Sequence, residues 1–196
     1  MRPHLITMIL LALALPPAGF AQGQQPTSLP VGDGRISDRP RAGSVFSCTQ
    51  KFRTGGARHV GDWFHGETWD PAAKPHVQGR VMWPDATFRV QVGDGDLRII
   101  GNGLPVGQPT GSFPIARTDP ANAHDTNPNA ITPTAIDISI PQRPQRAAVP
   151  ACVGMGMIGI SVTGVALYNA LDDAGRDAAA HEVQDTCDGH PMGRGQ

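Results

Sequence analysis

Two segments in the middle of the chain alternate between apolar and polar residues, with the period of two that is typical of half-buried β-strands. Their apolar positions are Phe88, Val90, Val92, Ile136, Ile138 and Ile140. Polar residues such as Arg89, Gln91, Asp137 and Ser139 lie between them. The pattern predicts two strands whose apolar side chains point inward.

Short strand-like segments also occur at residues 44–52, 80–83 and 97–101, separated by turns rich in glycine and proline. The most apolar stretch after the first 21 residues, 151–168, is too interrupted by glycine for a helix. It predicts a buried hairpin of residues 157–161 against 164–168. We therefore expect an all-β fold, a sandwich or distorted barrel of short antiparallel strands. One short helix is expected near the C-terminus, over residues 176–184.

The first 21 residues have the features of a signal peptide. A basic start at Arg2 precedes an apolar run over residues 5–15, and small residues stand at Gly19 and Ala21. We expect cleavage after Ala21 and a secreted or periplasmic protein, in a compartment where cysteines can oxidise. The alternative is an uncleaved anchor, although the run is too short to span a bilayer. No membrane span is expected in the mature chain.

Composition divides the remaining chain into a leader and one domain. Residues 22–43 are rich in Gln, Pro, Gly, Ser and Arg, which predicts a flexible leader, and residues 44–196 predict a single domain. Apolar residues make up 39% of the chain, which is enough for a folded core. The 16 basic and 17 acidic residues nearly balance, and the basic ones are scattered. These features argue against a nucleic-acid-binding protein.

Residues 164–191 are the densest in groups that can bind a metal or transfer protons. The carboxylates and imidazoles of this acidic–histidine cluster are Asp172, Asp173, Asp177, His181, Glu182, Asp185, Asp188 and His190. The predicted hairpin brings Tyr168 to its start. If residues 176–184 are helical, Asp177, His181 and Asp185 share one face. A carboxylate beside an imidazole can fix its tautomer or share a metal with it. The alternative is a surface helix with a structural Asp–His pair.

A second set of candidate site residues lies in a turn of the middle segment. His124 and Asp125 stand beside Asn127 and Asn129, whose Asn-Pro-Asn sequence is typical of a turn. These four residues are a candidate site loop, and the alternative is an ordinary surface turn. Three earlier histidines, His59, His65 and His76, are irregularly spaced, which favours solvated or packing roles over a metal site.

The end of the chain resembles a known family. Residues 185–191 read Asp-Thr-Cys-Asp-Gly-His-Pro, and residues 110–114 contain Thr-Gly-Ser-Phe-Pro. Both resemble the YHYH-domain family of exported bacterial proteins, in which Gly-His-Pro is followed within a few residues by Tyr-His-Tyr-His. The family has no established activity. The chain ends at Gln196, where that signature should begin, and we expect a C-terminally incomplete domain.

The resemblance implies a metal-binding function with copper or zinc as the cofactor, since both metals accept imidazole ligands. His181, Asp185 and His190 would be the ligands, completed by the imidazoles of the missing signature. Asp177, Glu182 and Tyr168 would lie behind these ligands as supporting residues. The alternative is an extracytoplasmic structural or interaction domain with neither metal nor catalysis. No Gly-x-Ser-x-Gly or His-Glu-x-x-His motif is present, which disfavours a hydrolase.

The three cysteines differ in their surroundings. Cys48 and Cys152 lie in strand-like apolar segments, whereas Cys187 lies in the acidic–histidine cluster. We expect a Cys48–Cys152 disulfide in an exported protein. The resemblance implies that the natural partner of Cys187 lies beyond the signature, and an unpaired Cys187 can link two chains covalently.

Overall fold

The computed structural model describes residues 27–53 and 60–193, which form short strands, turns and one short α-helix. The all-β class is confirmed. The predicted signal peptide lies outside the described residues, as does His59. No helix in the described part of the chain is both long and apolar enough to cross a membrane.

The elements follow one another in a simple order. The strands are β1 (Leu29–Pro30), β2 (Ile36–Ser37), β3 (Val45–Phe46), β4 (Phe64–His65), β5 (Thr68–Trp69), β6 (Phe88–Val92), β7 (Asp96–Gly101), β8 (Ile136–Pro141), β9 (Met157–Ile160) and β10 (Ala166–Tyr168). A 3-10 helix spans Pro120–Ala123, and the α-helix α1 spans Ala178–His181.

The strands form four small sheets. Three of these are antiparallel, with the orders β1-β5-β4, β6-β7-β8 and β9-β10, and β2 pairs with β3 in parallel. None of the sheets built from the described residues closes into a barrel. The fold is therefore a set of separate strand pairs and triplets joined by loops.

The register of the β6-β7-β8 sheet places most apolar positions of its strands on one side, because directly paired residues share a face. We call this the apolar sheet face: Phe88, Val90, Val92, Leu97, Ile99, Gly101, Ile136, Ile138 and Ile140. Ile100 is an exception among these strands, since it lies on the other side between Arg89 and Asp137. Ile99 and Ile136 are buried, but Val90, Val92 and Ile140 are 48%, 75% and 41% exposed. The expectation that all the alternating residues point into a core is wrong for these three, since neither core cluster of the described residues includes this sheet.

The predicted hairpin forms, with Ala166 paired with Ile160 and Leu167 with Gly159. Its expected burial is wrong, because Ile158 is 56% exposed and Leu167 is 49% exposed. The physical reason is that no hairpin residue belongs to either of the core clusters formed by the described residues.

Two small apolar clusters form the core of the described chain. One contains Val77, Ile115, Ala121 and Val183, and Phe113 packs against it. The other contains Trp63, Trp69 and Ala180, against which Leu29, Val31 and Phe64 pack. Each cluster includes one residue of the C-terminal segment, residues 164–191: Val183 in the first cluster and Ala180 in the second. Burial of apolar surface therefore fixes this segment at two points.

Ordered structure begins before Ser44, within the residues predicted as a flexible leader. Leu29 pairs with Trp69, and Ile36 pairs in parallel with Val45. Gly32 N–H also donates to the carboxylate of Asp177 at 2.9 Å. Isolated apolar residues between prolines and glycines are thus enough to dock these two-residue strands.

The Cys48–Cys152 disulfide is confirmed, with the two Cα atoms 4.9 Å apart. It lies next to a parallel bridge between Ser47 and Val153. Cys187 is exposed and is not in a disulfide.

Candidate functional site

The C-terminal helix is shorter than predicted, and Asp177 begins it. The Asp177 side chain accepts a hydrogen bond from Ala180 N, as an N-cap residue does. The chain becomes extended at Glu182, so α1 ends at His181. The expectation that Asp177, His181 and Asp185 share one helix face is therefore wrong, since only one of the three lies within the helix.

His181 is buried and pairs with a residue that the sequence did not indicate. Its Nε2 lies 2.9 Å and 3.1 Å from the two carboxylate oxygens of Asp33, and only 5% of His181 is exposed. The Phe64 ring packs on the imidazole, with centroids 4.9 Å apart. Asp33 also accepts a hydrogen bond from Asp177 N at 2.9 Å. A single carboxylate thus links the start of the described chain to both ends of α1.

The Asp185 side chain stabilises turns of the backbone. Its carboxylate accepts hydrogen bonds from the backbone N–H groups of Gly111 at 2.8 Å, Cys187 at 2.9 Å and Gly189 at 3.1 Å. The residue is only 3% exposed. A Cβ atom at Gly111 would lie 2.9 Å from the Cβ of Asp185, so this close approach requires glycine. The carboxylate predicted as a metal ligand is instead engaged by the backbone.

His190 pairs with Glu182, which had been predicted as a supporting residue. Nε2 of His190 lies 2.8 Å from Oε2 of Glu182. Burial lowers the pKa of His190 and is the largest single influence on it. The hydrogen bond and charge of Glu182, the charge of Asp125 and the backbone of Pro191 together outweigh burial, and the pKa of His190 is raised.

The predicted site loop lies beside this pair. Asn127 Nδ2 donates to the Pro191 carbonyl at 3.1 Å, and Asn129 N–H donates to Oδ1 of Asn127 at 3.0 Å. Asp125 Oδ1 in turn accepts a hydrogen bond from Asn127 N at 2.9 Å. The structure therefore brings the Asn-Pro-Asn turn and the C-terminal segment together.

The other predicted residues have separate surroundings. His124 packs edge-on against Trp63, with ring centroids 5.1 Å apart. Tyr168 lies on β10, where burial raises its pKa. His65 is exposed on β4, and Nδ1 of His76 lies 3.1 Å from the Asp185 carbonyl.

Lys74 is a residue of this region that sequence reasoning missed. Its ammonium donates to the Ala179 carbonyl at 2.5 Å and to Oε1 of Gln184 at 2.8 Å, and it lies 5.6 Å from the centre of the Trp69 ring. Lys74 is 3% exposed. Burial lowers its pKa to about 8, against the opposing charges of Asp188, Glu182 and Asp177. No local pattern marks this lysine, because its hydrogen-bond partners are more than a hundred residues away along the chain.

The three predicted ligands do not share one point. His181 binds Asp33, Asp185 binds three backbone N–H groups, and His190 binds Glu182. Within residues 27–53 and 60–193, no group of three or more His, Cys, Asp or Glu side chains could hold a metal ion. Every buried side-chain nitrogen or oxygen in that part of the chain has a hydrogen-bond partner. The arrangement holds distant segments of the chain together, and the described residues alone form no preformed metal centre.

Comparison with known proteins does not assign this chain to a family. No family model matches the chain, and neither a curated protein nor a solved structure matches it. The resemblance to the YHYH-domain family stays a prediction that rests on residues 110–114 and 185–191.

Proposed function

We propose that the chain is an extracytoplasmic structural or interaction domain whose acidic–histidine cluster is a hydrogen-bond network. The observation that carries this proposal is that His181, Asp185 and His190 each engage a different partner. Buried polar groups that are fully satisfied rigidify a fold and specify one arrangement of its segments.

The network joins segments that are distant along the chain. The pairs His181–Asp33 and Lys74–Gln184 span 148 and 110 residues of sequence. A third connection, from Asn127 to the Pro191 carbonyl, spans 64 residues. A domain with two small apolar clusters needs such connections, because burial of apolar surface alone holds few of its loops in place.

Metal analysis of the exported protein tests this proposal. The chain should be purified without a metal-affinity tag and examined by elemental analysis before and after dialysis against a chelator. We expect no stoichiometric copper or zinc and unchanged thermal unfolding after dialysis. Stoichiometric metal, with a lower melting temperature once it is removed, would contradict the proposal.

A second candidate is a copper or zinc site completed by residues beyond Gln196. Two carboxylate–imidazole pairs favour it, because such pairs orient histidines in metal sites. The Asp125 carboxylate acts on His190 as well. Titration calorimetry should compare this chain with a version extended by Tyr-His-Tyr-His. The candidate predicts weak or no binding by the first and firm binding by the second, and equal affinities would exclude it.

A further inference from the structure

The loop that joins β2 to β3 borders a cavity of about 330 Å³. It shares no residue with the acidic–histidine cluster, and its lining consists of Ile36, Ser37, Asp38, Arg39, Arg41 and Gln50. Cavities that bind small molecules have volumes of roughly 300–1,000 Å³, so the size of this one fits a small ligand. Five of its six lining residues are polar or charged, which favours a polar ligand.

Hydrogen bonds hold the backbone of this loop in place. Ser37 Oγ donates to the Arg39 carbonyl at 2.7 Å, and Gln50 Nε2 donates to the Ser37 carbonyl at 3.2 Å. Pro40 separates Arg39 from Arg41, and its ring restricts the backbone between the two arginines. Because the main chain that carries both arginines is already ordered, less conformational entropy is lost when a ligand binds.

Arg39 and Arg41 are unpaired within the described part of the chain. Both are exposed, and no ion pair or side-chain hydrogen bond among the described residues involves either guanidinium. The exposed Arg98, by contrast, forms an ion pair with Asp137 at 2.6 Å. Basic residues are scattered over the whole chain, yet residues 35–53 contain five of them against one acidic residue, a net charge of +4. The loop therefore presents positive charge to the cavity.

We propose that this cavity binds a small ligand through a phosphate or sulfate group, which Arg39 and Arg41 hold. The planar guanidinium donates two parallel hydrogen bonds to the oxygens of such a group, and these charge-assisted bonds are stronger than neutral ones. Asp38 lines the same cavity, and its carboxylate opposes a bound anion. Because the arginines are exposed to water, which weakens electrostatic attraction, we expect the bare anion to bind with a dissociation constant on the order of a millimolar.

NMR titration of the isotope-labelled protein with sodium phosphate, and separately with sodium sulfate, tests the proposal at constant ionic strength. The backbone amide signals of Ser37, Arg39 and Gln50 should shift together and saturate with one dissociation constant. Binding of only one of the two anions would support the proposal and identify the group that the natural ligand carries.

Substitutions at the loop test which residues hold the anion. Arg39→Gln and Arg41→Gln should each weaken binding roughly tenfold, because each removes a charge-assisted hydrogen bond. Asp38→Asn should strengthen binding, because it removes the opposing charge. Arg117→Gln is the matched control, since it removes the same charge from an exposed arginine that does not line the cavity, and it should bind the anion like the parent chain.

The amide signals of the rest of the chain should be the same in all variants, which shows that each is folded. The absence of a saturable shift with either anion would overturn the proposal. So would binding that the control variant weakens as much as Arg39→Gln and Arg41→Gln do, or binding that Asp38→Asn weakens.

Discussion

At the scale of single residues, aspartates hold the C-terminal segment through the backbone. Asp177 caps α1 and accepts Gly32 N–H, and Asp185 gathers three N–H groups from two loops. Asp33 accepts Asp177 N–H and contacts the His181 imidazole. Carboxylates suit this role because they accept several hydrogen bonds at once.

Replacing Asp185 with alanine should destabilise the fold. It would remove the acceptor of three N–H groups, of which that of Gly111 is buried, whereas Cys187 is exposed and Gly189 is half-buried. An unsatisfied buried donor costs about 1–3 kcal/mol, so we expect a loss of about 1–3 kcal/mol in the free energy of unfolding. Urea unfolding measures it. Asp94→Ala, at an exposed turn, is the control, and similar effects of the two variants would contradict the role of Asp185.

Lys74 should make stability rise with pH in the alkaline range. Its pKa is about 8 in the folded protein against 10.5 as the ordinary value. Between these values the unfolded chain binds more protons than the folded one, so the free energy of unfolding increases with pH. The contribution is about 3 kcal/mol across the whole window. Urea unfolding of the parent and Lys74→Met across this range checks it, and equal pH dependence of the two would show that Lys74 does not titrate there.

His190 should have the opposite effect at lower pH. Its pKa is raised above the ordinary value of 6.5, so its pairing with Glu182 contributes stability that is fully present below pH 6.5. This contribution is lost as the pH rises through the raised pKa. The stability advantage of the parent over His190→Gln should therefore shrink as the pH rises above 6.5. An advantage that grows with pH would contradict the pairing.

At the scale of elements, the alternation of apolar and polar residues predicted strands where these were long enough to show a period of two. The alternation around Val90 and Ile138 predicted β6 and β8, and glycine-interrupted apolar residues predicted the β9–β10 hairpin. β1 and β2 have two residues each, too few to show any period. They form because they pair with other segments, β1 with Trp69 and β2 with Val45.

Removal of residues before Ser44 should therefore unfold part of the domain. A chain that begins at Ser44 loses the pairing of β1 with β5, the Gly32–Asp177 hydrogen bond and the contact of Asp33 with His181. Each hydrogen bond contributes about 1 kcal/mol net, so a loss of several kcal/mol is expected. Urea unfolding compares this chain with one that begins at Thr27. Equal stabilities would support the flexible leader that the composition predicts.

At the scale of the whole molecule, the C-terminal segment is the point where distant parts of the chain meet. Its residue types were visible in the sequence, because carboxylates and imidazoles are concentrated there. Their partners were not, since Asp33 lies 148 residues from His181, and Gln184 lies 110 residues from Lys74. Only the folded chain reveals that the predicted ligands are already engaged.

A double-mutant cycle on Asp33 and His181 tests most directly whether this cluster is a hydrogen-bond network. Asp33→Ala, His181→Ala and the double variant would be unfolded in urea, with a chelator and again with added zinc or copper. We predict a coupling energy of about 1–3 kcal/mol that is the same in both conditions. A coupling energy near zero, or one that exists only when metal is present, would contradict the account.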